Sequence, residues 1–504
     1  MSGNQKSQAI RLSNHSLGSL ASDLATPRYE RQQAAPKIVH VGVGGFNRSH
    51  LAVYLDDLLA MDSRENWGEF GVGLLPDDRA MQDALNQQDY LYGVLERDAN
   101  VENYRVIGSL LGHHYAPAQR EAVLRQMTSP ECGIVSLTVT EGGYFLDASA
   151  RQFLQDDAAI QKDLKSPVAP ATWVGYVAEA ASRRMKLGLG PFTLMSCDNL
   201  QSNGEAARAA LVAFADLRGG GLRAWIETNV QFPNSMVDRI TPRTTDADRE
   251  FIAEKFGVLD LAPVVTEPFR QWVLEDKFAA GRPPWARAGV MMTPDVAPYE
   301  MTKTRLLNGG HFCIAYFAAL LGIETVAEAV ADAQLHKLLA QFLVEVRLTL
   351  RDLPGIDLEE YIATILRRFA NPTIRDQIAR ICSDGSAKIT KFVLPSVADL
   401  IKAGRVPQIL PLVIASWLRY QQGTTEDGDR YAINDPGANL LDNFVSDGAR
   451  DVSLALKIPA LFGEVFLRHP ELMQTIQNEL DNLRTSGMRA SLANALLRNE
   501  RSAQ

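Results

Sequence analysis

The sequence predicts an α/β N-terminal half joined to a mostly α-helical C-terminal half, and three observations predict it. Short apolar runs closed by glycine or turn residues recur early, at residues 37–42, 70–75, 133–139 and 191–195. Helical patterns lie between them, among them 51–61 and 171–187, and short apolar strands alternating with helices specify βαβ units on a parallel sheet. After Pro294 the pattern changes to long stretches of helical periodicity, at 298–322, 324–351, 358–370, 395–420 and 463–486.

A chain of 504 residues exceeds what one core supports. The domain boundary is expected near 290, giving an N-terminal domain over 1–290 and a helical one over 291–504. Residues 1–36, polar and closing on Gln32-Gln-Ala-Ala-Pro36, read as a peripheral lead-in. A net charge of −9 argues against nucleic acid or an anionic membrane as partner, since both reward basic patches. No apolar run approaches the ~20 residues that cross a bilayer. Four scattered cysteines without CxxC spacing, and a start lacking a signal pattern, point to a cytoplasmic protein with reduced core thiols. The evenly spread charge shows no dimer stripe, so a monomer or weak oligomer is expected.

Gly42-Val43-Gly44-Gly45-Phe46-Asn47 follows the first strand directly and opens a helix. In that context glycines let the backbone approach a pyrophosphate, and the helix N-terminus supplies unpaired N–H groups. The N-terminal domain is therefore expected to be a Rossmann-type dinucleotide-binding domain, although Asn47 stands where the fingerprint wants a third glycine. An acid at the end of the second strand would bind a ribose hydroxyl and repel a 2′-phosphate. Asp77 fits that role and favours NAD, the competing reading being that Asp77-Asp78 cap the next helix.

The most informative stretch is Lys303-Thr-Arg-Leu-Leu-Asn308-Gly-Gly-His311. On a regular helix Asn308 lies about 140° and His311 about 80° from Lys303. A potential base, an amide and an imidazole can thus share one cleft. Upstream, the strand at 191–195 runs into Ser196-Cys-Asp-Asn199, placing Asn199 at the carboxyl end of a strand or in an Asx turn. Ser202-Asn-Gly-Glu205 has the form of a capping box. Asp238-Arg239, inside an apolar stretch, reads as a mutual ion pair.

These residues resemble the polyol-specific long-chain dehydrogenases, the mannitol dehydrogenase family, over residues 37 to about 460. The marks are Gly42-Val-Gly-Gly-Phe46, Ser196-Cys-Asp-Asn199, Met236-Val-Asp-Arg-Ile240, Lys303-x4-Asn308-x2-His311, and Ser383-Asp-Gly-Ser386 with Lys388. Glu267-Pro-Phe and Gln271-Trp-Val-Leu-Glu-Asp276 also match. The resemblance implies a metal-independent, NAD-dependent oxidoreductase acting on a small polyol or ketose, D-mannitol and D-fructose first. Its site would lie in the cleft between the two domains. Lys303 would be the general acid/base, and Asn199 and Asn308 would hold the reacting oxygen. His311, Asp238, Arg380 and Lys388 would contact substrate hydroxyls. Two departures, Asn47-Arg-Ser-His50 for His-Arg-Ala-His and Asn308-Gly-Gly-His311 for Asn-Gly-Ser-His, remove none of these groups.

Other readings have less behind them. Zinc catalysis would need converging ligands, and the only close histidine pair is His113-His114. Tyr299-x3-Lys303 copies a short-chain dehydrogenase signature but falls in the helical half. Hexuronate reductases of the same family would use Arg380 and Lys388 on a carboxylate, and arabinitol or sorbitol are alternative polyols. A non-enzymatic NAD-binding sensor would have no need of the Lys-Asn-His cluster.

Overall fold

Five parallel strands form the central sheet of the first of two units, in a computed structural model that describes residues 9–62, 64, 66–147 and 152–502. The units are Met1–Ala297 and Pro298–Gln504. Strands β1 (Ala35–Val41), β2 (Trp67–Gly73), β3 (Leu110–Tyr115), β4 (Ile134–Leu137) and β5 (Thr193–Ser196) lie in the order β3-β2-β1-β4-β5. Val39 registers with Phe70 on one side and Val135 on the other. The winding reverses between β1 and β4, and open α/β sheets bind ligands beyond the carboxyl ends of the strands at such a point.

The strands are apolar on both faces because both faces are covered. Val39, Val41, Val72, Val135 and Leu137 pack with helices Ala116–Thr128, Trp173–Leu187 and Asn203–Arg218. On the opposite face Ile38, Ile134 and Met195 share a core with helix Leu51–Met61. Each large apolar side chain so buried stabilises the fold by about 1.5–3 kcal/mol.

Two further three-stranded sheets carry no long apolar run that would announce them. In one, Tyr92–Arg97 pairs antiparallel with Glu102–Ile107 and parallel with Val264–Thr266. In the other, Gln271–Glu275 pairs antiparallel with Ser235–Asp238 and parallel with Met291–Thr293. The lead-in is docked, contrary to expectation. Ile10–Arg11 pairs with Val258–Leu259, Leu12 is fully buried, and the Tyr29 hydroxyl donates to Asp56 at 2.6 Å.

The second unit is helical, centred on Gly309–Leu320, which is apolar all round and buried accordingly. The long expected helices are interrupted. Asp332 divides 324–351, its side chain capping Ala333–Arg347 by accepting from the N–H groups of Gln334 and Leu335. The 395–420 stretch splits into Leu394–Lys402 and Leu410–Tyr420 around Gly404 at φ +70°. The last expected stretch, 463–486, divides at His469 into Val465–Arg468 and Pro470–Thr485, the proline fitting the first turn of the second. Ile378–Cys382, Gly385–Phe392 and Met488–Ser502 are additional helices. Among the described residues no helix is long and apolar enough to cross a membrane, and all four cysteines are buried and unpaired.

Candidate functional site

In the first unit the glycine turn leaves β1 through Gly42 at φ +95°. A Cβ there would lie 2.1 Å from the Thr138 carbonyl oxygen, so only glycine fits. His40 supports the turn from below, with Nδ1 2.8 Å from Ser136 Oγ and Nε2 2.9 Å from Thr138 Oγ1. Burial pushes its pKa down to about 3, so the imidazole is neutral. Gly44 is exposed and N-caps the short helix Gly45–Ser49; the nearest heavy atom to a Cβ there would be 3.9 Å away. That open backbone, heading a helix after a parallel strand, suits a pyrophosphate. Val43 turns into the core and Phe46 stacks on His50 at 4.8 Å, so both offer a ligand backbone more than side chain.

Asn47, at the place of the absent third glycine, is buried against Glu69 on β2. Beyond that mutual contact neither side chain has a hydrogen-bond partner among the described residues. Burial pushes the Glu69 carboxyl up to about 8, the Asn47 amide opposing it. An acid inside the apolar run of β2 was the available signal for this pair.

Asp77 is exposed just past β2, at the N-cap position of helix Asp78–Asn86, but its side chain makes no capping bond. Asp78 instead closes the turn, its Oδ2 accepting from the Leu75 N–H at 2.8 Å. The capping alternative for Asp77 therefore fails.

Asn199 is exposed beyond the carboxyl end of β5, beside the buried Asp198. The capping box expected at Ser202 does not form. Ser202 is left-handed at φ +51° and its side chain makes no capping bond; Asn234 Oδ1 instead accepts from the Gly204 and Glu205 N–H groups at 2.9 and 3.3 Å. Asp238 ends its strand, buried. Arg239 does not pair with it, because neighbours on a strand face opposite sides. Its guanidinium pairs with Glu96 and donates to the carbonyls of Glu267 and Ser49.

In the second unit the helix carrying Lys303 is not regular. Ala297–Lys303 is α-helical, Thr304–Asn308 forms a π-turn, and Gly309–Leu320 resumes the α-helix. The i→i+5 repeat spreads a turn over more residues, which corrects the phase expected from a uniform helix. An ideal π-turn over these five residues would put Asn308 roughly 50° from Lys303 and His311 about 10°, where a regular helix gives 140° and 80°. Lys303 is only 6% exposed. Asn308 and His311 are half-buried, the imidazole stacking on Phe369 at 3.9 Å. Tyr299 donates its hydroxyl to the Pro354 carbonyl, so its spacing from Lys303 is coincidental.

Lys388 is on helix Gly385–Phe392, which packs against the π-turn. Its Nζ donates to the Ile381 carbonyl at 2.9 Å, and burial lowers its pKa, Asp384 opposing and Arg380 assisting. Arg380 faces outward: its side chain is 69% exposed and held in a forked pair with Asp376 at 2.6 and 2.7 Å. Within this unit Lys303, Asn308, His311 and Lys388 thus lie on packed elements, while Arg380 holds a partner of its own. Among the described residues no group of three or more His, Cys, Asp or Glu side chains could hold a metal ion.

Residues 36–287 match the mannitol dehydrogenase Rossmann domain and 295–484 the mannitol dehydrogenase C-terminal domain. The chain is 42% identical over 492 residues to a mannitol 2-dehydrogenase of Pyrenophora tritici-repentis, covering 96% of this chain and 86% of that one. A mannitol dehydrogenase of Saccharomyces cerevisiae is 41% identical over 98% of this chain and 99% of its own. Among solved structures, Pseudomonas fluorescens mannitol 2-dehydrogenase in ternary complex with NAD and D-mannitol is similar with a TM-score of 0.84. It shares 40% identity over 97% of this chain and 99% of that one. A D-sorbitol dehydrogenase in substrate-free form gives a TM-score of 0.90 at 38% identity, covering 95% and 100%.

Proposed function

This chain belongs to the mannitol dehydrogenase family, and on that premise we propose that it interconverts a linear polyol and its 2-ketose with NAD, D-mannitol and D-fructose being the foremost pair. The observation that carries the reading is the buried amine of Lys303, followed at once by a π-turn that ends on Asn308, with His311 on the next turn. An amine taken out of water is the type of group that serves as a general base. A half-buried amide and imidazole on the same helix suit an oxygen that gains negative charge.

Oxidising a secondary alcohol removes a proton from oxygen and a hydride from carbon. Bound NAD supplies the hydride acceptor. Lys303 takes the hydroxyl proton, and returns it in ketose reduction. Asn199 and Asn308 donate to the oxygen as it becomes anionic. His311, Asp238, Arg380 and Lys388 contact the remaining hydroxyls, which for Arg380 means exchanging its bond to Asp376. The backbone from Gly42 to Phe46 holds the pyrophosphate and Asp77 the adenosine ribose. The chain works in the cytoplasm as a monomer or weak oligomer, in keeping with four unpaired thiols.

Likeness to the D-sorbitol dehydrogenase supports a second reading, with D-sorbitol as the polyol. A spectrophotometric NADH assay over mannitol, sorbitol, arabinitol, their ketoses and ketouronates decides. Turnover of mannitol and fructose is expected; turnover of ketouronates alone, or of nothing, overturns the proposal.

A further inference from the structure

Asp198, the neighbour of Asn199, spends its carboxylate on the segment after β4. Its Oδ2 accepts from the Val139 N–H at 3.0 Å and from the Tyr144 hydroxyl at 2.6 Å, and its Oδ1 accepts from the Thr140 N–H at 2.9 Å. Tyr144 is fully buried, and its hydroxyl lies 2.5 Å from the Oγ of Ser196, the last residue of β5. Thr140 stands at φ +63°, ψ 165°. That region is almost reserved to glycine and is worse still for a β-branched residue. Beyond Asn199 the chain is fixed again, since Asn203 Nδ2 donates to the Asp198 carbonyl at 3.0 Å and Ser202 is held left-handed. The segment also reaches the glycine turn, because Thr138 Oγ1 donates to the Gly42 carbonyl at 2.6 Å.

Backbone strain of this kind persists only where its surroundings impose it, and it concentrates at functional sites. Here one buried carboxylate imposes it, and the same residue is covalently joined to Asn199. We propose that Asp198 is a positioning residue for the reaction, holding the strained Thr140 segment in place and through that clamp fixing the amide of Asn199. This rests on the functional reading above. It explains why a buried acid sits beside an exposed amide at the carboxyl end of β5, where packing alone would favour an apolar side chain.

The test uses the full-length enzyme with NAD and D-mannitol, or whichever panel substrate the wild type turns over best. Asp198→Asn keeps the size but puts a donor where an N–H or hydroxyl now donates, and is expected to lower kcat roughly tenfold or more. NADH affinity, read by fluorescence titration, is expected to stay within about threefold, because the glycine turn keeps its own contacts. Adding Thr140→Gly should recover part of the lost kcat, since glycine adopts that conformation without being held. Tyr144→Phe, removing one of three donors, should lower kcat roughly two- to fivefold.

A folded Asp198→Asn with unchanged kcat overturns the inference, as does a loss of kcat matched by an equal loss of NADH affinity. If Asp198→Asn does not fold, Tyr144→Phe decides, and an unchanged kcat there overturns it too. A wild type inactive on the whole panel sinks the functional reading and this inference with it. An active wild type with indifferent variants sinks the inference alone.

Discussion

Replacing Glu69 by Gln removes a buried charge site while keeping shape and hydrogen-bonding reach. In the folded protein the carboxyl is fully buried, and burial raises its pKa from 4.5 to about 8. A carboxyl with a raised folded-state pKa binds its proton more tightly in the native protein than in the unfolded chain. Its contribution is therefore fully present below 4.5 and is lost as pH rises toward 8. Between pH 5 and pH 8 that loss amounts to about 3–4 kcal/mol, from 1.36 kcal/mol per unit over a window at whose upper end the native carboxyl is half ionised. Glu69→Gln has no such titration, and every other group is common to both proteins. Urea unfolding of the two at pH 5 and pH 8 isolates the effect as a change in their stability difference. The variant should gain on the wild type by that amount as pH rises. A difference that stays constant with pH would show that Glu69 is ionised and satisfied in the native state, refuting the reasoning. Because Asn47 belongs to the helix after the glycine turn, NADH affinity of the wild type should also weaken toward pH 9 while that of Glu69→Gln holds.

Gly42→Ala sets a methyl against the Thr138 carbonyl at 2.1 Å and strains φ, so NADH binding should be lost and the melting temperature should fall, read by titration and calorimetry. Arg239→Met leaves Glu96 and two carbonyls without their buried donor and should cost about 3–5 kcal/mol in chemical unfolding. Asp77→Ser removes the negative charge at the carboxyl end of β2 and should raise kcat/KM with NADP relative to NAD by roughly tenfold or more in a coupled assay.

Much of the fold was legible where local sterics decide it. Helix Leu51–Met61 follows from its apolar periodicity, and the turn at Gly42 from a glycine that nothing else can replace. What escaped depends on contacts distant in sequence. Arg239 finds its partner 143 residues away at Glu96, which no local pattern announces. Ser202-Asn-Gly-Glu205 has the capping signature, yet Asn234, thirty residues on, does the capping because the serine backbone is turned left-handed. Asp332 breaks one expected helix and Gly404 another, since a cap or a left-handed glycine outweighs continuous periodicity. The same limit applies to the candidate site. Lys303, Asn308 and His311 were identifiable as residue types at a useful spacing. That they could share one cleft was legible too; the π-turn between Lys303 and Gly309 was not, because it departs from the uniform helix that periodicity assumes. The Glu69–Asn47 pair stayed hidden because burial of one acid in a strand is a property of what covers the strand.

The pH dependence of NADH formation from D-mannitol by the wild type and by Lys303→Ala tests the role of the buried amine. The wild type should turn over with an acidic limb in kcat/KM. The variant should fall by about 10²–10⁴-fold and lose that limb while still binding NADH. A variant that keeps its rate within a few-fold, with the limb in place, would contradict the role assigned to the buried amine.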